Sequence, residues 1–323
     1  MQRRRLVAML GVAMAAPAIV RAAAAALPRV AFLAVGFGAD TTAFDAIRDA
    51  LRRLGEIDGQ TYAAQAYTSD DPALLSQLAG EVVAAKPAVI MAISPVEAQE
   101  LMKLTQQIPI VVAFTDDPVA LQLTTSVARP SRNVTGTMAL QDELFDKKVQ
   151  LLGEIAGAAR RIGVVYYLES PTHRLVLAAA KLRSGGRPPE IVPLGIASGA
   201  DIDGLFERPE ARDLDGVIVL PTPLIVTNRH ALIAAEMARR LPAVHQFSFE
   251  VRDGALAAYG TDPAENFERT AQYTAQLLHG AKVADLPFQG PRAIRLALNR
   301  NTARALGLTI PATLLLRADE VVE

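Results

Sequence analysis

Short apolar runs alternate with amphipathic segments along most of this chain. The run Arg29–Ala34 is followed by Ala43–Leu54, in which apolar residues recur at helical spacing. Similar runs at Tyr62–Tyr67, Ala88–Ile93 and Ile110–Phe114 each precede a helical pattern. A strand–helix order of this kind predicts an α/β fold with a parallel sheet covered on both faces.

The alternation restarts after a polar, glycine-containing stretch, Arg132–Thr137. The predicted segments of the second half are Lys147–Leu152, the strand Ile162–Leu168, the helix Leu175–Arg183, the strands Ile191–Leu194 and Val217–Leu220, the helix Arg229–Arg240, the strand Ala243–Phe247 and the helix Ala264–Leu278. Two successive sets of elements predict two sheets.

A Ser, Thr or Asp followed by proline ends six of the strand-to-helix connections. These pairs are Asp71-Pro72, Ser94-Pro95, Asp117-Pro118, Ser170-Pro171, Thr222-Pro223 and Asp262-Pro263. The first residue can accept hydrogen bonds from free N–H groups of the helix, and proline suits the first helical position. We therefore predict helix N-caps, including one at Asp117. Because ligands bind beside the carboxyl ends of parallel strands, the same junctions predict a ligand cleft between two sheets.

The N-terminus has the features of an export signal. Arg3-Arg4-Arg5 precede the uncharged run Leu6–Val20, and alanines from Ala22 onward offer a cleavage site. The run is 15 residues long, short of the ~20 that a spanning helix needs. Residues 1–26 are thus predicted to be a cleaved signal peptide for the Sec or the twin-arginine route, and the mature protein to be periplasmic.

Charge and composition narrow the function classes. Taking the four arginines of residues 1–26 from 33 basic side chains leaves 29 against 34 acidic ones, a net charge of −5. An acidic chain without a basic patch argues against nucleic-acid binding. The chain has no cysteine, so disulfides, thiolate catalysis and cysteine-based zinc sites are excluded. The histidines show no metal-ligand spacing, and no dinucleotide, phosphate-loop or nucleophile-elbow motif occurs. We expect no metal and no cofactor.

Several separated blocks resemble one family. Asp117-Pro118-Val119, Ser126–Pro130 and Asn133–Gly136 are similar to a "DPV…SLARPGGNVTG" block of periplasmic solute-binding proteins of ATP-binding-cassette importers, the tryptophan/tyrosine-type group. C-terminal blocks agree with it: Ala257–Gly260, Gly280–Pro287, Asn299–Pro311 and Leu316–Glu320. The resemblance covers nearly all of the predicted mature chain.

The resemblance implies a type I periplasmic-binding fold, in which two Rossmann-like lobes joined by three crossovers close on a ligand. It places residues 27–133 and 258–284 in lobe 1, and residues 134–257 and 285–323 in lobe 2. It implies a monomer that delivers an amino acid, aromatic in known members, to a membrane permease. Two departures occur: Gln122 replaces a usual glycine and Ser131-Arg132 replace a glycine pair. Since glycine tolerates backbone geometries that these residues do not, we expect a reshaped loop before the first crossover.

The candidate ligand-binding residues follow predicted strands at one rim. Asp116 and Glu169 could pair with a ligand ammonium, and hydroxyls could bind its polar groups. Aromatic rings could stack on a ligand ring. The full candidate set is Phe37, Ser94, Thr115, Asp116, Asp117, Thr137, Tyr167, Glu169, Thr222 and Phe247.

Three functions compete at this point. A solute receptor for an importer agrees with every feature above, and we predict this function and no enzyme activity. A secreted enzyme would use Asp116 and Glu169 as an acid–base pair, but nucleophile, metal and cofactor motifs are absent from the sequence. A receptor that reports to a membrane sensor kinase would have the same two lobes and is the alternative. A sugar-sensing repressor would need a DNA-binding helix-turn-helix where the export signal stands.

Overall fold

The computed structural model describes residues 27–36, 42–157 and 159–323. The first half alternates strands and helices: β1 (Arg29–Val35), α1 (Thr42–Arg53), β2 (Ala63–Ser69), α2 (Leu75–Ala84), β3 (Val89–Ala92), α3 (Pro95–Leu104), β4 (Ile110–Thr115) and β5 (Val134–Met138). The second half continues with α4 (Gln141–Ala156), β6 (Arg161–Tyr167), α5 (Pro171–Ser184), β7 (Glu190–Ile196), β8 (Gly216–Val219), α6 (Pro223–Thr227), α7 (Arg229–Ala238), β9 (Ala243–His245) and α8 (Ser248–Arg252). The last elements are β10 (Ala257–Thr261), α9 (Pro263–Leu278), β11 (Ile294–Asn299), α10 (Arg300–Leu306), α11 (Ala312–Leu315) and β12 (Glu320–Val322).

The strands form two sheets, as the pattern predicts. The first has the order β2-β1-β3-β4-β5 with all pairs parallel. The second has the order β12-β11-β10-β9-β8-β6-β7, in which only β10 and β11 pair antiparallel. Every residue of β3 and of β8 is buried, as expected for parallel strands with helices on both faces. The α/β fold with two mostly parallel sheets is confirmed.

We call each sheet with its covering helices a lobe. Helix α9 packs on α1, β3, β4 and β5, so the chain returns to lobe 1 after β10. Leu286 and Phe288 also join lobe 1 core clusters before β11 completes lobe 2. The chain therefore passes between the lobes three times, between β5 and α4, between β10 and α9, and before β11.

Sheet pairing moves two of the predicted boundaries. Residues 134–138 were assigned to lobe 2, but they form β5 and pair with β4 of the first sheet. Residues 258–261 were assigned to lobe 1, but they belong to β10 of the second sheet. The polar stretch was misleading because β5 is an edge strand whose glycine has a packing function. A Cβ on Gly136 would lie 2.2 Å from the Val112 carbonyl oxygen, so only glycine permits this approach to β4.

Within the described residues, no helix has both the length and the apolar character needed to cross a membrane.

Candidate functional site

A cavity of about 720 Å³ lies between the lobes and receives side chains from both. Its volume is within the ~300–1,000 Å³ typical of sites for small molecules. The lining includes Val35, Ser94, Glu97, Phe114, Thr115 and Phe267 from lobe 1, Gln141 at the first crossover, and Tyr167, Glu169, Thr172, His173, Thr222, Arg229, Phe247, Phe249, Arg252 and Asp253 from lobe 2. The cavity thus occupies the predicted cleft.

Helix N-termini surround this cavity because of the Ser/Thr–Pro junctions. The Ser94, Ser170 and Thr222 side chains each accept a hydrogen bond from a backbone N–H in the first turn of α3, α5 and α6. Asp71 and Asp262 cap helices in the same way. Five of the six predicted helix N-caps are confirmed. Asp117 is the exception, because its Oδ1 accepts from the Val119 and Ala120 amides of a turn at 2.8 and 3.1 Å without a regular helix following.

Aromatic rings form much of the cavity wall. Phe114 of lobe 1 contacts Phe247 of lobe 2 edge to face, with ring centroids 6.3 Å apart. Phe247 stacks on Phe249 at 5.3 Å, and Phe114 meets Phe267 edge to face at 5.4 Å. With Tyr167, this set supplies flat apolar surfaces from both lobes. Such surfaces suit a planar, largely apolar ligand group.

Three residues of the lining carry buried oxygen atoms that have no hydrogen-bond partner in the described part of the chain. They are Oγ1 of Thr115, Oγ1 of Thr172 and Oε1 of Gln141. Leaving a buried polar atom unpaired costs about 1–3 kcal/mol. A bound ligand with hydrogen-bonding groups would relieve that cost.

Glu97 is a buried carboxylate on the lobe 1 wall, 2% exposed. Its Oε1 accepts from the Val35 amide at 3.2 Å, and its Oε2 accepts from the Ser94 amide at 3.1 Å and from the Ser94 hydroxyl. Burial raises the pKa of Glu97 to about 7, and the hydrogen bonds from Ser94 and Val35 oppose that rise. This side chain therefore occupies the N-terminus of α3, beside the candidate residue Ser94.

His173 of lobe 2 is a neutral, structural part of the wall. Its Nδ1 accepts from the Tyr167 amide at 3.0 Å, so the ring hydrogen is on Nε2, which donates to the Pro221 carbonyl oxygen at 3.2 Å. Burial lowers the pKa of His173 to about 3. The imidazole fixes the ends of β6 and β8 beside the cavity and carries no charge at neutral pH.

Asp116 is absent from the cavity lining, although it follows Thr115, which is part of it. It is 6% exposed, and its Oδ1 accepts from the Gln141 amide of α4 at 2.5 Å. The helix needs this acceptor because the residue before it, Leu140, has φ 54° and no side-chain cap. Asp116 thus links the end of β4 in lobe 1 to the first helix of lobe 2. Burial raises the pKa of its carboxyl to about 7.

The other predicted residues divide into two groups. Ser94, Thr115, Tyr167, Glu169, Thr222 and Phe247 line the cavity. Asp117 and Thr137 do not: Asp117 is exposed, and the Thr137 hydroxyl donates to the Ala113 carbonyl oxygen and accepts from Asn266 Nδ2 at 2.7 Å. Phe37 lies outside the described residues. Ligand contact stays a prediction for every member of the set.

The departures from the family pattern are linked to one another. Gln122 adopts φ 59°, a left-handed conformation that glycine takes readily. The Arg132 guanidinium donates to the Gln122 carbonyl oxygen at 3.0 Å, and Ser131 Oγ accepts from the Thr125 amide at 3.0 Å. The loop therefore keeps a glycine-type turn at position 122, with the substituted side chains holding it.

Sequence reasoning missed Glu97, Gln141, Arg229 and Phe249. No sequence motif marks a ligand contact at Gln141, the first residue of α4, or at Phe249 in the five-residue helix α8. Arg229 begins α7, where its guanidinium lies over the Phe249 ring at 5.3 Å and its Nε donates to Asp253 Oδ2 at 2.6 Å. Only the spatial approach of α7 and α8 brings these groups to the cavity.

In the described ranges, no group of three or more His, Asp or Glu side chains is placed to hold a metal ion.

Comparison with known protein families decides the classification. Residues 34–322 match the model of the ABC transporter substrate binding protein family. The chain belongs to this family. Among curated proteins, the tyrosine-binding protein of Clostridioides difficile (strain R20291) is 25% identical over 240 residues, which cover 74% of this chain and 68% of that protein.

Solved structures agree with this substrate-binding protein in fold. A conserved domain protein from Vibrio cholerae O1 biovar El Tor has a TM-score of 0.81 and 27% identity, covering 91% of this chain and 99% of its own. The ABC domain from Streptococcus pneumonia in complex with L-Trp also has a TM-score of 0.81, with 21% identity over 92% of this chain and 100% of its own. The type I periplasmic-binding architecture is thereby confirmed.

Proposed function

We propose that this substrate-binding protein acts in the periplasm, binds an aromatic amino acid between its lobes, and delivers it to the permease of an ATP-binding-cassette importer. Binding without catalysis is part of the proposal, because several lining side chains that could act as nucleophile, acid or base are held in caps and pairs. Ser94 and Thr222 cap helices, His173 is neutral and doubly hydrogen-bonded, and Arg229 pairs with Asp253.

The cavity wall carries the ligand assignment. The cavity of about 720 Å³ is lined by Phe114 and Phe267 from lobe 1 and by Tyr167, Phe247 and Phe249 from lobe 2. A side chain with one aromatic ring can be enclosed there by rings on several sides, which gives both burial and favourable ring geometry. The similarity to a tyrosine-binding protein supports the same ligand class.

Ligand contacts from both lobes would favour the closed arrangement. Already in this structure Phe114 touches Phe247 across the cleft, and the Thr227 hydroxyl donates to the Gly36 carbonyl oxygen at 3.5 Å. A ligand that bridges the lobes stabilises the closed state by its differential affinity for it. A permease can then recognise the loaded receptor by the relative position of its lobes.

Thermal melting with free amino acids tests the assignment. Purified residues 27–323, unfolded and refolded to remove carried ligand, are melted with L-tyrosine, L-tryptophan, L-phenylalanine, L-leucine and L-aspartate. A ligand at ~100 times its dissociation constant should stabilise the protein by ~2.7 kcal/mol. We expect this stabilisation from at least one aromatic amino acid and a smaller effect from leucine and aspartate. Stabilisation by the non-aromatic amino acids alone would contradict the assignment.

Two variants test whether the stabilising amino acid binds in the cavity. Phe249→Ala should weaken binding about tenfold or more, because apolar burial and ring stacking together are worth upward of about 1.5 kcal/mol. Leu316→Ala is the matched control, since Leu316 is 87% exposed and outside the cavity lining. Equal affinities of the two variants would place the ligand elsewhere.

Export and delivery have their own measurements. The predicted signal falls in residues 1–26, outside the described residues. Intact mass of periplasmic protein should show a chain that starts between Ala22 and Pro28. Cells without the protein should lose uptake of the labelled amino acid. If uptake is unchanged and a transcriptional response is lost, the sensor-kinase alternative is favoured.

A further inference from the structure

Glu97 makes the lobe 1 side of the cavity unfavourable for an anion. A helix N-terminus such as that of α3 would ordinarily attract a carboxylate. Here the amide of the N-cap residue Ser94 donates to Glu97, which is buried and lines the cavity. A ligand carboxylate beside it could be accommodated only if one of the two carboxyl groups kept its proton, because two like charges repel strongly in a region of low dielectric.

The cavity lining also offers acceptors for a cation. A carboxylate has about four lone-pair sites, and three described contacts to Glu97 come from Val35 and Ser94. The hydroxyl of Thr115 and the side-chain carbonyl of Gln141 are buried, belong to lining residues, and have no partner in the described part of the chain. An ammonium group has three N–H donors, which these acceptors could satisfy.

Arg229 supplies a cation on the opposite lobe. Its Nε donates to Asp253 and its Nη1 donates to the Val226 carbonyl oxygen at 3.1 Å, and no contact within the described ranges engages Nη2. The side chain is 24% exposed and lines the cavity. Guanidinium groups bind carboxylates well because their N–H donors match the two oxygens. Arg252 also lines the cavity and is likewise ion-paired, its Nη1 contacting both oxygens of Glu320, but its side chain is 54% exposed and therefore better screened by water than Arg229.

We propose that Arg229 of lobe 2 binds the carboxylate of the amino-acid ligand, while the ammonium group faces Glu97 on lobe 1. This assignment rests on the proposed function, since it takes the ligand to be an aromatic amino acid. It makes Arg229 and Glu97 the residues that distinguish an amino acid from an amine or an acid with the same ring. Each lobe then binds one of the two charged groups of the ligand, and full affinity requires both lobes.

Three probes with the same ring separate the two charges. L-Tyrosine carries both groups, tyramine lacks the carboxylate, and 3-(4-hydroxyphenyl)propionate lacks the ammonium. Binding is measured by calorimetry for the wild type, Arg229→Gln, Glu97→Gln, the second cavity arginine as Arg252→Gln, and the control Arg317→Gln, whose side chain is exposed and outside the cavity lining. Melting of each ligand-free variant checks folding. Arg229→Lys is added because it keeps the charge and removes the planar fork.

We expect Arg229→Gln to weaken the binding of L-tyrosine about ten- to hundredfold, as for loss of a hydrogen bond to a charged group. The affinity for tyramine should stay within about twofold of the wild-type value. Arg229→Lys should lie between Arg229→Gln and the wild type. Glu97→Gln should weaken the binding of L-tyrosine and of tyramine but not the binding of the propionate. A larger effect of Arg252→Gln, equal losses for L-tyrosine and tyramine in Arg229→Gln, or an unchanged L-tyrosine affinity would overturn the assignment.

Failure of the proposed function has a different signature. If the wild type binds tyramine or the propionate but not L-tyrosine or L-tryptophan, the amino-acid assignment fails. The effect of Arg229→Gln on the propionate, against tyramine, still decides the function of Arg229. If the wild type binds none of these compounds, both proposals are overturned.

Discussion

Asp116 and Asp117 are adjacent in the chain, but they differ in burial and in hydrogen-bond partners. Asp116 is 6% exposed and accepts from a helix amide across the lobe boundary, whereas Asp117 is exposed and caps a local turn. The pattern of a strand followed by two carboxylates predicts caps and candidate ligand contacts equally well. The difference arises from Gln141, which is 25 residues further along the chain.

Replacing Asp116 should change how stability depends on pH. Its folded pKa, about 7, lies above the usual 3.8, so the folded protein holds the proton more tightly. Ionisation of this group therefore lowers the free energy of unfolding as pH rises between these values, by about 1.4 kcal/mol for each unit of pKa difference. Asp116→Asn keeps an acceptor for the Gln141 amide without ionising. We expect it to gain stability relative to the wild type from pH 5 to pH 8 in urea unfolding.

The control is Asp117→Asn, since asparagine also caps well and the site is exposed. It should change stability by less than about 0.5 kcal/mol. If Asp116→Asn and the wild type differ by the same free energy of unfolding at pH 5 and at pH 8, the raised pKa of the Asp116 carboxyl is wrong.

The protein should be less stable with glutamine at position 122 than with glycine there. A φ of 59° costs a residue with a side chain roughly 1–2 kcal/mol, and glycine at this position would avoid that cost. Part of the resulting gain in stability is offset by the larger conformational entropy that glycine loses on folding. We expect Gln122→Gly to raise the free energy of unfolding by about 0.5–1 kcal/mol. The Arg132 contact to the backbone carbonyl should persist. A loss of stability, measured by urea unfolding, would show that the glutamine side chain supports the loop.

At the scale of elements, a buried ionic cluster joins α7, β9 and α8 beneath the cavity floor. His245 is fully buried, with Nε2 3.1 Å from Glu236 and Nδ1 3.1 Å from Glu250. Burial alone would lower the pKa of His245, but the two carboxylates outweigh it and raise the pKa to about 10. Both ring nitrogens therefore donate at neutral pH. Phe247, two residues after His245, is positioned by the same segment through the Glu250 contact to its amide at 2.8 Å.

His245→Gln should destabilise the protein by about 3–5 kcal/mol near pH 7, because it leaves two buried carboxylates without their cation. The contribution of His245 is complete below the unfolded pKa of about 6.5 and is lost as pH rises through about 10. His230→Gln is the control, since that side chain is 65% exposed and 3.6 Å from Asp253. Comparable urea midpoints for the two variants would contradict a charged, paired His245.

At the scale of the whole molecule, the lobes touch at the cleft through Phe114 and Phe247 and through Thr227 and Gly36. Helices α3 and α5 also approach each other across the lobes, but each hydrophobic core cluster of the described residues lies within one lobe, so the lobes can part without disrupting either core. We expect the radius of gyration in small-angle scattering to fall when saturating L-tyrosine or L-tryptophan is added to ligand-free protein. Phe249→Ala should need more ligand for the same change. An unchanged radius with a ligand proved bound by calorimetry would contradict closure.

The sequence by itself determined the alternation of strands and helices and the family. Periodicity is a local property, so it predicted β1, α1, β4 and α9 to within one or two residues of their observed ends. A Ser, Thr or Asp before proline also acts within one turn, which is why five helix caps were correct. Candidates next to those caps, such as Ser94 and Thr222, line the cavity for the same reason.

Tertiary structure alone decided which side chains share the cavity and which charges remain available there. Glu97 fills the N-terminus of α3 because Val35 of a different strand faces it, and Asp116 is withdrawn from the cavity by the amide of Gln141. Arg229, the first residue of α7, meets the Phe249 ring of α8 across 20 residues of sequence, and β5 joins lobe 1 because Gly136 lets it approach Val112. Each of these outcomes depends on contacts between residues far apart in the chain. Local spacing carries no information about such contacts, because they are set when the sheets pair and the lobes close.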